Sequence, residues 1–283
     1  MRFHKTICSL LAAIGVLGMA ASCTPVLPDA SSQDPQNPIL SPGGNPGAFT
    51  DVMIYNGIGV STSDWQATEA IVSSHSRQGR GWTYRLVNSA ELNAMSLEEI
   101  ASFGVIVVPG GKGGTITSYL NSSTRLNLRR AVQEFGVGYV GFCAGAWIAV
   151  GPEADTSEVA SYGLAVAEGV VLSTYWPDGN TSLTADIVPV TLQDGTVRNL
   201  VWWGGPSTPE WKLASGQSGV LGRYKTGQPA ISQTVSGRGV VVISGPHPEA
   251  PQSWWATAGT DPDGLDWDLA ERMIDGALSG TLL

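Results

Sequence analysis

Cys143 stands in Gly141-Phe142-Cys143-Ala144-Gly145, after the apolar run Val137 to Phe142 and before the alanine-rich stretch Ala144 to Val150. That order reads as strand, sharp turn and helix, with the sulfur held up at the turn. It is a nucleophile elbow carrying sulfur in place of oxygen. The flanking glycines let the turn stay tight and the helix pack close to the strand. A thiol at a helix N-terminus meets the partial positive charge of unpaired N–H groups, which favours thiolate over thiol. Taken alone, the pentapeptide also fits a buried structural cysteine, because free Cys is among the most buried residue types.

A base for such a thiol lies in Ser244-Gly245-Pro246-His247-Pro248-Glu249. His247 follows an apolar strand, so it falls at a strand C-terminal end, where open α/β sheets bind ligands. Pro248 biases His247 towards an extended conformation, and residues two apart in an extended segment point the same way. Glu249 can then reach one ring nitrogen, fix the tautomer and leave the other nitrogen for the thiol. The other histidines are His4, in the extreme N-terminus, and His75, near the end of a predicted helix in a surface or helix-end role. A third element is Pro109-Gly110-Gly111 at another strand end. Backbone N–H groups of Gly110 and Gly111, with that of Ala144, form a candidate oxyanion hole. Lys112 beside them reads as a solvated surface charge. From residue 51 onward the chain holds one cysteine and two histidines far apart in sequence, which offers no metal-ligand spacing, and the chemistry needs no cofactor.

The elements that must carry these groups alternate strand and helix through the first half of the body. Asp51 to Tyr55, Trp82 to Val87, Val105 to Val108 and the elbow strand read as β. Ser63 with Gln66 forms a capping-box pattern for a helix reaching about Ser76. Ser96 with Glu99 caps a short helix ended by Gly104, and Ser123 opens another with Leu128, Val132 and Phe135 on one face, stopped by Gly136. The second half is richer in strand: Leu164 to Thr174, Ala185 to Leu192, Leu200 to Trp203, Val220 to Tyr224, Ala230 to Val235 and Gly239 to Ile243. Asp194-Gly195 marks a hairpin turn, and a helix with Leu269, Met273, Ile274 and Ala277 closes the chain after Asp266. The expected fold is a three-layer α/β sandwich, with a mostly parallel central sheet of flavodoxin-like type and an antiparallel β extension.

Residues 1–22 read as an export signal: Arg2 and Lys5, then an apolar stretch from Ile7 to Met19 too short to span a bilayer comfortably, then Ala20-Ala21-Ser22-Cys23. Small residues ending on Cys resemble the lipobox of bacterial lipoproteins. That resemblance implies cleavage before Cys23, lipidation of its thiol and a bacterial envelope location, on the periplasmic side or the cell surface. An ordinary secretory signal cleaved near Ala21 is the other reading. Residues 23–50 hold six prolines among Gly, Ser and Asn, a composition suited to a tether. The domain proper is 51–283. After such processing Cys143 is the one free thiol, so no intramolecular disulfide can form. Loss of Arg2 and Lys5 leaves 13 basic against 24 acidic residues, a formal −11, which argues against nucleic acid as a partner and against anionic lipid beyond the anchor itself.

The Cys elbow, the strand-end Gly-Gly loop and the late His-x-Glu together resemble the class I glutamine amidotransferase-like superfamily. Tyr55-Asn56-Gly57-Ile58-Gly59, Pro109-Gly110-Gly111, Gly141 to Ala146 and Trp202-Trp203-Gly204-Gly205-Pro206, in that order, are similar to the N-terminal domain of biotin–protein ligases and its stand-alone bacterial relatives. The resemblance implies a glutamine amidotransferase-like fold, a Cys143–His247–Glu249 triad and substrate-pocket candidates at Tyr55, Asn56, Trp203, Gly204 and Gly205. It does not imply biotinylation, because no ligase domain follows. Ten tryptophans, among them Trp176, Trp202, Trp203, Trp211, Trp254 and Trp255, either wall a pocket or pack the antiparallel extension, with packing expected for most.

Three functions fit these residues. One is a thiol-dependent hydrolase or acyl transferase acting on an amide-type bond, its small-molecule or peptide substrate unspecified. The others are a non-catalytic binding module on the same fold and a redox-active thiol protein. The His247–Glu249 pair favours the first, since neither alternative needs it.

Overall fold

The computed structural model describes residues 50–75, 81–151, 163–169 and 172–283. The signal and nearly all of the tether therefore lie outside the described residues. Among the described residues no helix is long and apolar enough to cross a membrane.

The chain runs β1 (Thr50–Tyr55), α1 (Thr62–His75), β2 (Tyr84–Val87), α2 (Ser89–Ala94), α3 (Leu97–Ala101), β3 (Phe103–Val108), α4 (Gly113–Tyr119), α5 (Ser122–Phe135), β4 (Gly138–Phe142) and α6 (Ala144–Ala149). Then come β5 (Val150–Gly151), β6 (Ala167–Glu168), β7 (Ser173–Thr174), β8 (Asp186–Leu192), β9 (Val197–Trp202), β10 (Pro206–Ser207), β11 (Val220–Tyr224), β12 (Pro229–Ser236) and β13 (Gly239–Ser244). A 3₁₀ turn (Gln252–Trp254), α7 (Trp255–Ala258) and α8 (Trp267–Ser279) complete it.

Nine strands form one sheet in the order β2-β1-β3-β4-β13-β12-β11-β8-β9. The first five are mutually parallel and the last four add antiparallel, so β13 joins the two halves. Side-chain alternation along the strands builds two cores. Met53, Tyr55, Ile106, Val108, Tyr139, Val241 and Ile243 bury against the layer of α2 to α6. Val52, Ile54, Val105, Val107, Val140 and Val242 bury against α1 and α8. Three layers result because a parallel sheet must cover both faces. Each fully buried Val or Ile contributes about 1.5–3 kcal/mol relative to exposure.

Several sequence expectations shift. Helix α1 starts at Thr62, so Ser63 lies inside it and its hydroxyl turns to Asp64 Oδ2 at 3.4 Å rather than capping. Gly104 does not end α3, which ends at Ala101 with Ser102 as its C-cap; Gly104 is the second residue of β3. Three short helices are not anticipated by the sequence: α2 with an Asn88–Glu91 capping box, α4 directly after the glycine loop, and α7 after the His247 turn. The continuous strand expected over Leu164 to Thr174 does not form, because the N–H groups of Leu164 and Ala165 both donate to Ile148 O and Ala165 adopts φ 48°. Of that stretch β6 and β7 are extended, each in a separate two-stranded pair. His75 is the last residue of α1, the helix-end placement expected, but it is buried there rather than on the surface, stacked on Trp82 with ring centroids 3.4 Å apart.

Candidate thiol site at the strand ends

Each site residue follows the C-terminal end of a parallel strand. Asp64 comes after β1, Gly110 and Gly111 after β3, Cys143 after β4 and His247 after β13. Strands β4 and β13 pair directly, Phe142 opposite Ser244, and the Cys143 N–H donates to Ser244 O at 2.9 Å. Residues just beyond the paired ends are thereby brought side by side. Cys143 itself takes φ 47°, ψ −101°, an uncommon conformation for a side-chain-bearing residue, at a cost of order 1–3 kcal/mol. The surrounding backbone holds it there. A Cβ on Gly145 would collide with Val108 O, and one on Gly141 would come within 2.5 Å of Gly145, so no larger residue fits beside the turn. Among the described residues Cys143 is the free cysteine, and its sulfur lies 3.7 Å from Trp203 O.

His247 pairs with Val201 in a short β-bridge and opens a turn, so the segment from His247 to Glu249 is not extended throughout. The His247 N–H bonds Val201 O at 2.7 Å, and Ala250 N–H returns to His247 O at 3.1 Å. The turn still brings Glu249 onto the ring: Nδ1 and Oε1 are 2.8 Å apart. Both side chains are buried, and neither His247 Nε2 nor Glu249 Oε2 has a hydrogen-bond partner. Burial disfavours the imidazolium, but the charges of Glu249 and Cys143 and the hydrogen bond to Glu249 outweigh it and raise the His247 pKa well above its usual value. Glu249 is pushed up by burial and drawn back by His247.

Asp64, which sequence reasoning missed, lies in the first turn of α1 with Oδ1 3.5 Å from His247 Nδ1. Burial raises its pKa, while His247 and the hydroxyls of Ser61 and Ser63 pull it down. The only signal was an acidic residue in a helix first turn directly after a strand, a pattern shared by many solvated side chains. Asp64, His247 and Glu249 each place one ligand-type atom within 4.8 Å of the others. The ring nitrogen that faces them is hydrogen-bonded to Oε1, which is the arrangement of a proton clamp.

A cavity of about 350 Å³ opens over these groups, lined by Cys143, His247, Asp64, Gly111, Trp203 and Trp254, with Ser61, Ser63 and Lys112 alongside. Lys112 is exposed, as expected. Trp254 stands edge-on to both the His247 ring (5.1 Å) and Trp203 (5.8 Å), so two aromatic planes form one wall. Most other tryptophans pack, Trp202 being fully buried with its indole N–H on Gly205 O at 3.0 Å. Gly111 reaches the cavity, whereas Gly110 is pressed against the Asp64 carboxyl and the His247 ring. Ala144 begins α6 beside the sulfur.

Of the pocket candidates, Trp203 alone lines the cavity. Tyr55 is buried with its hydroxyl on Ser89 at 2.8 Å, and Asn56 follows it at the strand end without reaching the cavity. Gly204 accepts from the Trp147 indole at 3.3 Å, and Gly205 packs on Gly245 where a Cβ would collide with its carbonyl. Gly204 and Gly205 shape the loop that presents Trp203, whereas Tyr55 and Asn56 lie at the end of β1.

Comparison with solved structures gives low-identity neighbours. A glutamine amidotransferase crystal structure is 18% identical over 80% of this chain and 98% of that one, with a TM-score of 0.49. A glutamine amido transferase from Methylobacillus flagellatus is 13% identical over 81% and 92%, TM-score 0.44. A ThuA-like protein from Bacteroides uniformis is 10% identical over 81% and 91%, TM-score 0.47. Comparison with curated proteins found no match. The family model described as "Biotin-protein ligase, N terminal" matches residues 50–154, a span holding the Tyr55 loop, the glycine loop and the cysteine elbow, and it is to this family that the first part of the folded body is similar.

Proposed function

We propose that this protein is an envelope-anchored, thiol-dependent hydrolase or acyl transferase that cleaves an amide-type bond through Cys143. One observation carries the reading: a buried imidazole, clamped at Nδ1 by Glu249, keeps Nε2 without a hydrogen-bond partner on a residue that lines the same cavity as the thiol. A histidine with a purely structural role would pair both nitrogens.

In this reading the Cys143 proton passes to Nε2 as sulfur attacks the substrate carbonyl, forming a C–S bond. The N–H groups of Gly110, Gly111 and Ala144 are the candidate donors for the oxyanion, each donor being worth about 3 kcal/mol. His247 then returns the proton to the departing amine as the C–N bond breaks, leaving a thioester. Water, or an acceptor amine in a transferase, adds to the thioester and loses its proton to Nε2, and the C–S bond breaks to regenerate the thiol. Glu249 holds the tautomer throughout.

The test is intact-mass analysis after exposure to an activity-based acyl electrophile. A single adduct in wild type that is lost in Cys143→Ala is expected; an unlabelled wild-type protein would overturn the proposal. Anchoring rests on Ala20-Ala21-Ser22-Cys23 before the proline-rich segment. Cys23→Ala should release soluble protein or accumulate precursor, and normal processing with an unchanged membrane fraction would refute the anchor alone.

A further inference from the structure

Two carboxylates bear on one imidazole nitrogen. Glu249 Oε1 lies 2.8 Å from His247 Nδ1, and Asp64 Oδ1 lies 3.5 Å from the same atom. The side chains are nearly sealed from solvent, at 2% exposure for His247, 0% for Glu249 and 5% for Asp64. A buried carboxylate without a counter-charge is costly, and the nearest cationic candidate for both is this ring. The contact is also built into the backbone. A Cβ on Gly110 would collide with Asp64 Oδ1 and stand 2.6 Å from His247 Cε1, so the loop after β3 keeps open the space where the two meet.

We propose that Asp64 is a positioning residue of the thiol site, bracketing Nδ1 of His247 together with Glu249 and so keeping Nε2 turned to the cavity shared with Cys143. The inference rests on the thiol–imidazole reading above. The two acids act differently on the ring. Glu249 takes the hydrogen bond, and Asp64, at the longer distance and from a different element, contributes charge. The groups facing the ring are Glu249 from its own turn, Asp64 from α1 and Cys143 from the elbow, with the edge of Trp254 alongside. Lys112 lines the same cavity from the loop after β3. Loss of the Asp64 charge lets the ring surrender its proton at lower pH.

The experiment is the pH dependence of Cys143 alkylation by iodoacetamide in the full chain, comparing wild type with Asp64→Asn and His247→Ala. The limb at higher pH that reports His247 disappears in His247→Ala. In Asp64→Asn it moves down by about one unit, with an unchanged circular-dichroism spectrum. Should that variant fail to fold, Asp64→Ser, which is smaller and admits water from the cavity, gives the same comparison. A limb at the wild-type pH in either folded variant overturns the role of Asp64. A limb that persists unchanged in His247→Ala instead overturns the thiol–imidazole reading itself, so the two failures are distinguishable.

Discussion

Among the described residues two basic side chains, Arg198 and His247, are ringed by carboxylates, and they are used in opposite ways. Arg198 on β9 meets Asp266 at 2.7 Å, Asp268 through two N–H groups and Asp263 at 4.0 Å. These contacts tie the last antiparallel strand to the start of α8, and the guanidinium is permanently charged. His247 meets Glu249 and Asp64 in the same manner, but its charge is switchable, and one nitrogen is left unengaged towards a cavity. A fully satisfied fixed charge fastens elements together. A half-satisfied titratable one can do chemistry.

The sharpest way to break this contrast is His247→Ala. Loss of a general acid–base should lower any Cys143-dependent turnover by about 10²–10⁴-fold, and Cys143 alkylation near neutral pH should slow. Glu249→Gln should produce a smaller loss of the same kind. Identical alkylation in wild type and His247→Ala would put the histidine on the same footing as Arg198.

Arg198→Met should do the reverse, costing about 2 kcal/mol of stability by leaving Asp266 buried beside two further acids, a value discounted because the guanidinium is partly exposed. Denaturant melts measure the cost. Cys143 alkylation at fixed pH should stay at the wild-type rate, and a change there would show that the two regions are coupled.

Acidity should move stability in one direction from both regions. Burial pushes Asp266 up to about 7 against the pull of Arg198. A carboxyl raised in the folded state contributes stability that is full below its unfolded value and is lost as pH rises through the folded one. His247, also raised, contributes stability that is full below about 6.5 and is lost as pH climbs through its higher folded value. The melting temperature should therefore fall by a few degrees between pH 5.5 and pH 8. Asp266→Asn should flatten that slope without moving the alkylation profile; a melting temperature rising over this range would contradict both assignments.

The smallest structural effect belongs to Trp203, 43% exposed at the cavity wall. Trp203→Ala should change stability by no more than about 0.5 kcal/mol while weakening capture of the acyl probe, seen as a higher concentration for half-maximal labelling.

The parallel half was legible in the sequence because its signals are local: apolar runs ending in glycine, an elbow, a histidine two residues before a glutamate. The pairing of His247 with Glu249 was foreseen from an extended segment, yet it arises in a turn, since two residues can share a side by either route. Asp64 was not legible because its role depends on a distant strand pairing and on the missing side chain of Gly110. Leu164 to Thr174 misled because β-rich composition cannot show that Ile148 O already claims the local N–H groups. Of the pocket candidates read from the Trp-Trp-Gly-Gly run, Trp203 lines the cavity, whereas the glycines beside it serve backbone packing.

The insertion of β13 between β4 and β12 sets an order of assembly. A chain growing from its N-terminus completes the elbow long before the residue meant to activate it exists, and until β13 enters, β4 lacks its neighbour on that side. On the proposed chemistry, the sulfur therefore exists through most of the remaining synthesis without its proton acceptor. On that chemistry reactivity arrives with the last strand, so a truncated or stalled chain carries a thiol that has yet to be switched on.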